Sequence, residues 1–254
     1  MIGEVVLCSG QSNMEFHMRS EVTPREQYVN DPLLRTYMSA RPIEGERFLP
    51  GNGWHPCEAE TVDDWYALPY LVGLGLRKKY GVAVGMIAAA QGATHIQSFI
   101  DERLLDGTTL DLPMEQRAGN VFHERFRHWN RNGDIFHYTI EPVIAYTAGA
   151  AIWYQGESNA ASSHEAGIYG ELLELMISDW RHRQGSELPF VVVQIANYDK
   201  AGNKAAFKAV QDAQLAAEGK IPGVRTVICA DICESDDIHP PTKWRLAERI
   251  TEVL

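Results

Sequence analysis

The sequence predicts a three-layer α/β/α domain built on a doubly wound, parallel sheet of five strands. Two observations predict this fold class. Short apolar runs alternate with helical patterns along the 254 residues, an order typical of sheets wrapped by crossover helices. The apolar runs are nearly continuous in Val, Ile and Ala, as is typical of parallel strands covered on both faces. The length suits one large α/β domain or at most two small ones, and we expect a single domain over residues 1–254.

These patterns predict five strands and four helices. The strands are expected at Glu4–Cys8, Ala83–Ala89, Ala148–Tyr154, Phe190–Ile195 and Thr226–Ala230. The helices are expected at Asp64–Tyr80, His164–Arg183, Lys204–Ala217 and Pro241–Leu254. Gly81 suits the end of the first helix, because glycine readily adopts the left-handed conformation of a C-cap. The segment Asp101–His137, rich in Arg, His, Asn and Gly, is expected to cross the sheet irregularly and to line a ligand cleft.

The composition excludes several classes of partner. A formal net charge of −11 and the lack of a basic tract argue against nucleic acid, because binding phosphates needs clustered Lys and Arg. No apolar run is long enough to span a bilayer, so no membrane partner is expected. Because the first predicted strand follows Met1 almost at once, without a secretory signal, we expect a cytoplasmic location. A trimmed secreted domain is the alternative.

The four cysteines do not indicate a metal site. Cys8 and Cys229 lie in apolar, strand-like runs, which is typical of buried free thiols. Cys229 and Cys233 are four residues apart, but no second cysteine or histidine pair stands at zinc spacing. We therefore expect no bound metal.

Two polar segments near opposite ends of the chain indicate a serine hydrolase. After the first predicted strand, residues 10–14 (Gly-Gln-Ser-Asn-Met) place Ser12 between two amides on a turn. Near the C-terminus, residues 236–240 (Asp-Asp-Ile-His-Pro) put His239 and two carboxylates in one loop. A serine hydroxyl is a poor nucleophile until a base removes its proton, and a histidine oriented by a carboxylate is the usual base. Met14 replaces the last glycine of the α/β-hydrolase elbow. In α/β-hydrolases the acid and the histidine usually come from separate loops, so their shared loop here favours another serine-hydrolase architecture.

Two further polar segments follow the second and third predicted strands. In Gln-Gly-Ala-Thr-His at 91–95, the unobstructed N–H of Gly92 suits a developing oxyanion, and a simple strand-to-helix turn is the alternative. His95 either touches the substrate or faces solvent. In Gln-Gly-Glu-Ser-Asn at 155–159, the Gln155 amide is a candidate third oxyanion donor, while Glu157 and Asn159 either serve the site or cap the loop.

The four segments, in this order, resemble the blocks of the SGNH (GDSL-like) hydrolase superfamily. More closely, they resemble its sialate O-acetylesterase and acetylxylan esterase branch, whose signatures Gly-Gln-Ser-Asn-Met, Gln-Gly-Glu-Ser-Asn and Asp-Ile-His-Pro all occur here. The similarity runs over nearly the whole chain. It implies the flavodoxin-like arrangement of that superfamily. It also implies a carbohydrate esterase that removes O-acetyl groups from an acetylated sugar, such as sialic acid or xylan, without a cofactor.

The resemblance implies a role for each site residue. Ser12 is the nucleophile and His239 the general base. The backbone N–H groups of Ser12 and Gly92, with the Gln155 side chain, form the oxyanion hole. The side chains expected to contact the substrate are Gln11, Asn13, Glu157, Asn159 and His95.

The acid and one glycine depart from the family pattern. The superfamily places its acid three positions before the histidine, at Asp236, whereas this branch often has one two positions before it, at Asp237. We favour Asp236, although some members rely on little more than the serine and histidine. The second block commonly shows Gly-Gly-Thr, and Ala93 replaces the second glycine here, which should narrow the pocket.

Two other functions are open alternatives. One is a related esterase or lipase acting on non-carbohydrate acyl esters, against which the segment Gln-Gly-Glu-Ser-Asn argues. The other is a catalytically silent carbohydrate-binding relative, against which the presence of both the serine and the histidine argues. The sequence does not indicate an oligomeric state.

Overall fold

A computed structural model of the protein describes residues 3–42, 53–114, 117 and 128–254. The described strands are β1 (Gly3–Gly10), β2 (Asp31–Met38), β3 (Trp54–Cys57), β4 (Ala83–Ala90), β5 (Ala150–Tyr154), β6 (Phe190–Val193) and β7 (Val224–Val227). They form one sheet in the order β3-β2-β4-β1-β5-β6-β7. Every pairing is parallel except that of β2 with β3. β1 therefore lies in the middle of the sheet.

The described helices are α1 (Ser12–Glu15), α2 (Ala67–Tyr80), α3 (Glu102–Leu105), α4 (Glu141–Ile144), α5 (Ser163–Gln184), α6 (Lys204–Lys220) and α7 (Trp244–Val253). A π-helical turn, Phe136–Ile140, precedes α4. Short 3-10 turns lie at Met18–Ser20, Arg25–Gln27, Val62–Asp64, Ile96–Phe99 and Asn159–Ala161. None of the described helices combines the length and apolar character needed to cross a bilayer.

Helices cover both faces of the sheet. α2 contacts α7 on one side, and α5 contacts α6 on the other. The end of β5 reaches both sides, because neighbouring residues of a strand point in opposite directions. The Trp153 ring packs against Trp180 of α5 at a centroid distance of 5.9 Å, whereas the Tyr154 ring lies 5.5 Å from the ammonium of Lys243, just before α7. The predicted three-layer α/β/α arrangement is confirmed.

The predicted strand number of five is wrong, because β2 and β3 extend the sheet to seven. The five predicted strands are all present, with shifted ends. β2 mixes buried and exposed residues and carries Pro32 and Arg35, and β3 has only four residues, including Pro56. Proline and a solvent-exposed face are typical of strands towards a sheet edge. Continuous apolar runs, the signal that identified the central strands, are therefore missing here.

The four predicted helices are present, and their largest errors, of three residues, lie at two starts and at the end of the third helix, which is Lys220 instead of Ala217. The first begins at Ala67 instead of Asp64, because residues 62–64 form a separate 3-10 turn. The last begins at Trp244 instead of Pro241. The predicted C-cap is confirmed: Gly81 has a φ of +69°, and its N–H bonds the Arg77 carbonyl at 3.0 Å.

The end of β1 requires a glycine. Gly10 has a φ of +144°, a conformation that residues with side chains rarely adopt. Its carbonyl accepts the Gln91 N–H at 3.0 Å, and a Cβ added at Gly10 would lie 2.0 Å from the Tyr154 carbonyl oxygen. The neighbouring strands β4 and β5 therefore both lie close to the backbone of Gly10. The chain turns there towards Ser12.

Gly10→Ala should lower the free energy of unfolding by about 3 kcal/mol, because the added methyl forces β1 away from β5. Gly167→Ala in α5 is the matched control. Nothing lies within 4 Å of its added Cβ, and alanine favours a helix over glycine by about 0.5–1 kcal/mol. Urea unfolding of both variants measures the difference. Equal free energies of unfolding for Gly10→Ala and Gly167→Ala would contradict the requirement for glycine at the end of β1.

Candidate active site

Ser12 lies where the central strand meets α1. The chain leaves β1 at Gly10, and the Gln11 carbonyl accepts the N–H groups of Met14 and Glu15, both at 2.9 Å. Ser12 is therefore the first residue of a single helical turn, and its own N–H has no acceptor among the described residues. This position, beyond the carboxyl end of a central parallel strand, is where such sheets bind ligands.

The structure brings the two ends of the chain together at this point. His239 Nε2 lies 2.7 Å from Ser12 Oγ, although 227 positions separate the two residues. Both side chains line a cleft of about 830 Å³. A histidine nitrogen at this distance from a hydroxyl can accept its proton.

The geometry favours Asp237 over the expected Asp236 as the acid beside His239. An Asp237 carboxylate oxygen accepts the backbone N–H of His239 at 2.9 Å, as an Asx turn allows at a spacing of two residues. The negative charge of Asp237 also raises the pKa of the imidazole. Both aspartates are exposed, but the contact of Asp236 is made by its backbone: its carbonyl accepts the Lys200 ammonium at 2.7 Å. The Nδ1 atom of His239 has no hydrogen-bond partner in the described part of the chain.

The environment of His239 favours a neutral ring. Burial is the main cause that holds the pKa of its imidazole below the ordinary value of 6.5, and the nearby Lys243 ammonium lowers it further. Asp237 offsets only part of this effect. The ring is therefore unprotonated at neutral pH, which is the form that can act as a base.

Asn13 is a buried anchor rather than the substrate contact that we expected. Its amide nitrogen donates to a carboxylate oxygen of Glu157 at 2.6 Å and to the Ile238 carbonyl at 2.9 Å. Its amide oxygen accepts from the Lys243 ammonium at 2.6 Å. Asn13 is 1% exposed, and Lys243 is fully buried. These four residues form what we call the Asn13 clamp, which ties the Ser12 turn to the loop that carries His239.

Glu157 occupies the wall of the cleft, in line with its expected contact to substrate. Burial raises the pKa of its carboxyl, and burial likewise lowers the pKa of Lys243 to about 8. The second carboxylate oxygen of Glu157 has no hydrogen-bond partner among the described residues. This oxygen is itself buried, and a buried acceptor without a partner is costly, which favours the protonated carboxyl.

The structure contradicts the expected role of Gln155 in the oxyanion hole. Its side chain is fully buried. Its amide nitrogen donates to Asn159 Oδ1 at 2.8 Å, to the Thr94 carbonyl at 2.9 Å and to Gln11 Oε1 at 3.1 Å. Its oxygen accepts from Tyr169 at 3.1 Å. Two amide hydrogens already serve three acceptors, so none remains for a substrate.

Gly92 lies beside Ser12 as expected, but its N–H is occupied. A Cβ added at Gly92 would lie 3.5 Å from the Ser12 Cβ. The Gly92 N–H donates to the carboxylate of Glu15, which also forms an ion pair with Arg41. The expectation of an open Gly92 donor is therefore wrong for this state of the protein.

His95 and Asn159 do not contact the cleft, contrary to our expectation. Both are fully buried. His95 Nδ1 lies 3.1 Å from the Asn130 side-chain oxygen, and its Nε2 lies 3.2 Å from Glu165. The Asn159 oxygen accepts the Ile96 N–H at 3.0 Å, as well as the Gln155 amide. These side chains hold the loops after β4 and β5 in place.

Several cleft residues escaped the sequence analysis. Glu15 stands one helical turn after Ser12, and this spacing could have identified it as a residue of the cleft. Arg41 follows β2, the strand that apolar runs missed. The aromatic residues are Trp129, Tyr198 and Phe207. Trp129 belongs to the segment 101–137 that we expected to line the cleft, and its indole N–H donates to the Gly92 carbonyl at 3.0 Å. Residues 115–116 and 118–127 of that segment lie outside the described residues.

One cluster has the composition of a metal site but lies elsewhere. Ligand atoms of Asp101, Glu102 and His137 lie within 4.8 Å of one another. Asp101 is paired with Arg103 and Arg183, and the His137 ring bridges Glu102 to a further carboxylate. These ion pairs already satisfy the carboxylates, and none of the three residues lines the cleft of Ser12.

Comparison with curated proteins finds sialate O-acetylesterases. The protein from Homo sapiens is 25% identical over 280 residues, covering 98% of this chain and 52% of that protein. The protein from Mus musculus is 24% identical over 304 residues, covering 98% of this chain and 55% of that protein. The chain thus spans about half the length of the curated relatives it matches.

Among solved structures, a carbohydrate acetylesterase from Xanthomonas citri superposes with a TM-score of 0.82 at 26% identity, covering 98% of this chain and 55% of that one. A protein from Arabidopsis thaliana has the same fold, with a TM-score of 0.64 at 18% identity over 99% of this chain and 98% of that one. The model of the family described as "carbohydrate esterase, sialic acid-specific acetylesterase" matches residues 3–252. This chain therefore belongs to that family of carbohydrate esterases.

Proposed function

We propose that the chain is a serine esterase that removes O-acetyl groups from an acetylated sugar through an acyl-serine intermediate, with residues 1–254 acting as one catalytic domain. The observation that carries the proposal is the 2.7 Å contact between His239 Nε2 and Ser12 Oγ in an open cleft. Family membership supports the carbohydrate ester as the substrate class. A cytoplasmic location stays a prediction.

The reaction begins when Ser12 attacks the acetyl carbonyl. His239 Nε2 takes the hydroxyl proton while the new oxygen–carbon bond forms, and the carbonyl electron pair moves onto its oxygen. The unpartnered N–H of Ser12 is the backbone donor available to that oxyanion. Collapse of the tetrahedral intermediate expels the sugar oxygen, which receives the proton from His239. Water then attacks the acetyl-serine by the same steps and releases acetate.

The lining of the cleft supports a sugar as the leaving group. Half-buried Tyr198 lines the cleft together with the largely buried rings of Trp129 and Phe207, and aromatic surface of this kind suits the apolar faces of sugar rings. Glu157 also lines the cleft and adds a polar group to it. The name of the mammalian relatives, sialate O-acetylesterase, makes acetylated sialic acid the first substrate to test.

The first prediction concerns acetate release from a panel of acetylated sialic acids, acetylated xylo-oligosaccharides and aryl esters of increasing acyl length. Wild-type protein should release acetate from at least one sugar, and Ser12→Ala should reduce the rate by about 10³-fold or more, because no nucleophile remains. Full activity of Ser12→Ala would exclude the mechanism. A preference for long acyl chains would favour the lipid esterase, and no turnover of any ester would favour the silent relative.

The second prediction compares the two carboxylates before His239. Asp237→Asn should lower kcat/KM on the order of tenfold, because the imidazolium formed in the reaction loses its neighbouring charge. Asp236→Asn should change kcat/KM by no more than about twofold, because Asp236 is exposed and is not among the charges that shift the pKa of His239. Steady-state kinetics on an aryl acetate measure both. The reverse ranking would restore Asp236 as the acid.

The third prediction concerns the pH profile. Only neutral His239 accepts the serine proton, so kcat/KM should rise with pH to a plateau, with a midpoint below 6.5 because the pKa of His239 is lowered. Lys243→Met removes a positive charge that opposes protonation of His239. The pKa of His239 should then rise, and the midpoint of the acid limb should move to higher pH.

Lys200→Met is the matched control for Lys243→Met. Lys200 is an exposed cation that binds the Asp236 carbonyl in the same loop, but it is not among the charges that shift the pKa of His239. The acid limb of the pH profile of kcat/KM for Lys200→Met should coincide with that of the wild type. A profile of Lys243→Met that also coincides with the wild type would exclude the electrostatic effect of Lys243 on the base.

A further inference from the structure

We propose that Cys233 and Cys229 form a thiol–disulfide exchange site, which a small-molecule disulfide such as oxidised glutathione converts to a disulfide bond that lowers the esterase activity. The pair lies in the loop between β7 and His239, near Lys243 of the Asn13 clamp. The effect on activity rests on the proposed function, whereas formation of the bond can be measured without it.

The backbone brings the two cysteines onto one turn. The Cys229 carbonyl accepts the N–H of Ile232 at 3.0 Å and that of Cys233 at 2.9 Å. A hydrogen bond between residues four apart closes a turn like that of an α-helix, in which their Cα atoms lie about 6 Å apart. A disulfide joins Cα atoms that are about 4.4–6.8 Å apart. The backbone of this turn therefore already has a spacing that a disulfide can join.

The two thiols differ in their surroundings. Cys229 is fully buried, and its Sγ lies 2.9 Å from the Gln194 carbonyl oxygen and 3.8 Å from the Tyr154 hydroxyl. Because a carbonyl oxygen only accepts, the Cys229 thiol keeps its hydrogen. Cys233 is half-buried, and it is the one cysteine among the four, all of which the structure describes, that is not buried. Cys233 is therefore the thiol that a solute can reach.

Neighbouring groups make Cys233 the more acidic thiol. A hydrogen bond with the Cys229 thiol is the main cause that lowers the pKa of Cys233, and the Lys243 ammonium lowers it further. Burial and the carboxylates of Asp231 and Glu234 oppose this shift without reversing it. The contact between the thiols, together with burial, raises the pKa of Cys229. Since a thiolate attacks a disulfide faster than a thiol does, Cys233 is the attacking group and Cys229 the resolving one.

The exchange proceeds in two balanced steps. The Cys233 thiolate attacks one sulfur of the small disulfide, whose sulfur–sulfur bond breaks, and the other half leaves as a thiolate with the electron pair. The Cys229 sulfur then attacks the Cys233 sulfur, and the second half leaves in the same way and takes the Cys229 proton. The two protein thiols are oxidised to one disulfide, and the small disulfide is reduced to two thiols.

The loop of the pair is connected to the Asn13 clamp. Glu234 directly follows Cys233, and its carboxylate accepts the hydroxyl hydrogen of Thr242 and, at 3.4 Å, the Thr242 backbone N–H. Thr242 directly precedes Lys243, whose ammonium donates to the Asn13 amide oxygen at 2.6 Å. A movement of Cys233 is therefore transmitted through Glu234 and Thr242 to the clamp that holds the base at the nucleophile.

Forming the bond moves Cys233. Side chains four residues apart on a helical turn have Cβ atoms about 5–6 Å apart, whereas a disulfide holds its Cβ atoms about 3.8 Å apart. The half-buried Cys233 must therefore approach the buried Cys229 by about 1–2 Å. The bond also removes the negative charge of the Cys233 thiolate, one of the charges that raise the pKa of Lys243. A displacement of about 1 Å in a catalytic group can cost about 10²-fold in rate.

The test is incubation of the wild-type protein with oxidised glutathione, followed by mass spectrometry and steady-state kinetics. Both cysteines fall in one tryptic peptide, residues 226–243. This peptide should lose the mass of two hydrogen atoms and resist alkylation by iodoacetamide. In step with the bond, kcat/KM on an aryl acetate should fall at least about tenfold, and dithiothreitol should restore it. Failure of the bond to form, or wild-type kcat/KM in fully linked protein, would overturn the inference.

Cys233→Ser separates the bond from general effects of the oxidant. It should keep the wild-type kcat/KM before treatment and lose none of it with oxidised glutathione. Cys57→Ser is the matched control, because it removes a buried thiol of β3 that contacts the Val29 carbonyl at 3.2 Å. It should be inactivated like the wild type. Inactivation of Cys233→Ser to the wild-type extent would overturn the inference.

Cys229→Ser tests the order of the two steps. Without the resolving thiol, the reaction should stop at a mixed disulfide, and residues 226–243 should gain the mass of one glutathione on Cys233. An adduct at another cysteine, with Cys233 unmodified, would overturn the inference. The measurement on wild-type protein does not depend on the folding of this variant.

The two proposals fail in different ways. If Ser12→Ala keeps full activity, the proposed function fails, and the mass of residues 226–243 still reports whether the bond forms. If Ser12→Ala is inactive while the wild type forms no bond, or forms it without loss of activity, the proposed function stands and the role of the cysteine pair fails.

Discussion

The site depends on the buried hydrogen bonds of Asn13. One amide joins the turn of Ser12 to Glu157 after β5, to the backbone at Ile238 and to Lys243 before α7. Burying a carboxylate and an ammonium costs several kcal/mol for each charge unless good partners are present. The Asn13 amide supplies one hydrogen bond to each group, which allows both to stay buried. The segment that carries His239 is thereby held at Ser12, and the 2.7 Å contact between base and nucleophile follows from that connection.

The same clamp sets the chemistry of the base. Lys243 holds Asn13 and also opposes protonation of His239 by its charge, while Asp237 acts in the opposite direction. Burial is the main cause that lowers the pKa of His239, and the charge of Lys243 adds to it. A single buried cation therefore has two functions: it fixes the loops, and it keeps the imidazole ready to accept a proton.

The positions of the polar segments could be predicted from the sequence, but the directions of their side chains could not. Continuous apolar runs located the central strands, and the carboxyl ends of parallel strands share one edge of a sheet, so Ser12 and His239 were expected to meet. β2 and β3 lack such runs and were not predicted. Arg41, which follows β2, was therefore missed as well. Whether an amide faces a cleft depends on partners far away in sequence. Gln155 turns inwards because Thr94, Asn159 and Tyr169 surround it, and no local pattern reveals that environment.

The pairing of amides also explains why the side chains of Gln11 and Gln155 have different orientations despite identical chemistry. Gln155 has acceptors on every side, so its hydrogens stabilise the loops after β4 and β5. Gln11 meets three donors at its oxygen, and its nitrogen has no acceptor among the described residues. The two side chains are linked, because the Gln155 nitrogen is one of the donors that orient Gln11. Gln155 therefore helps to fix the turn that carries Ser12, because it binds the side chain of the residue that precedes the nucleophile.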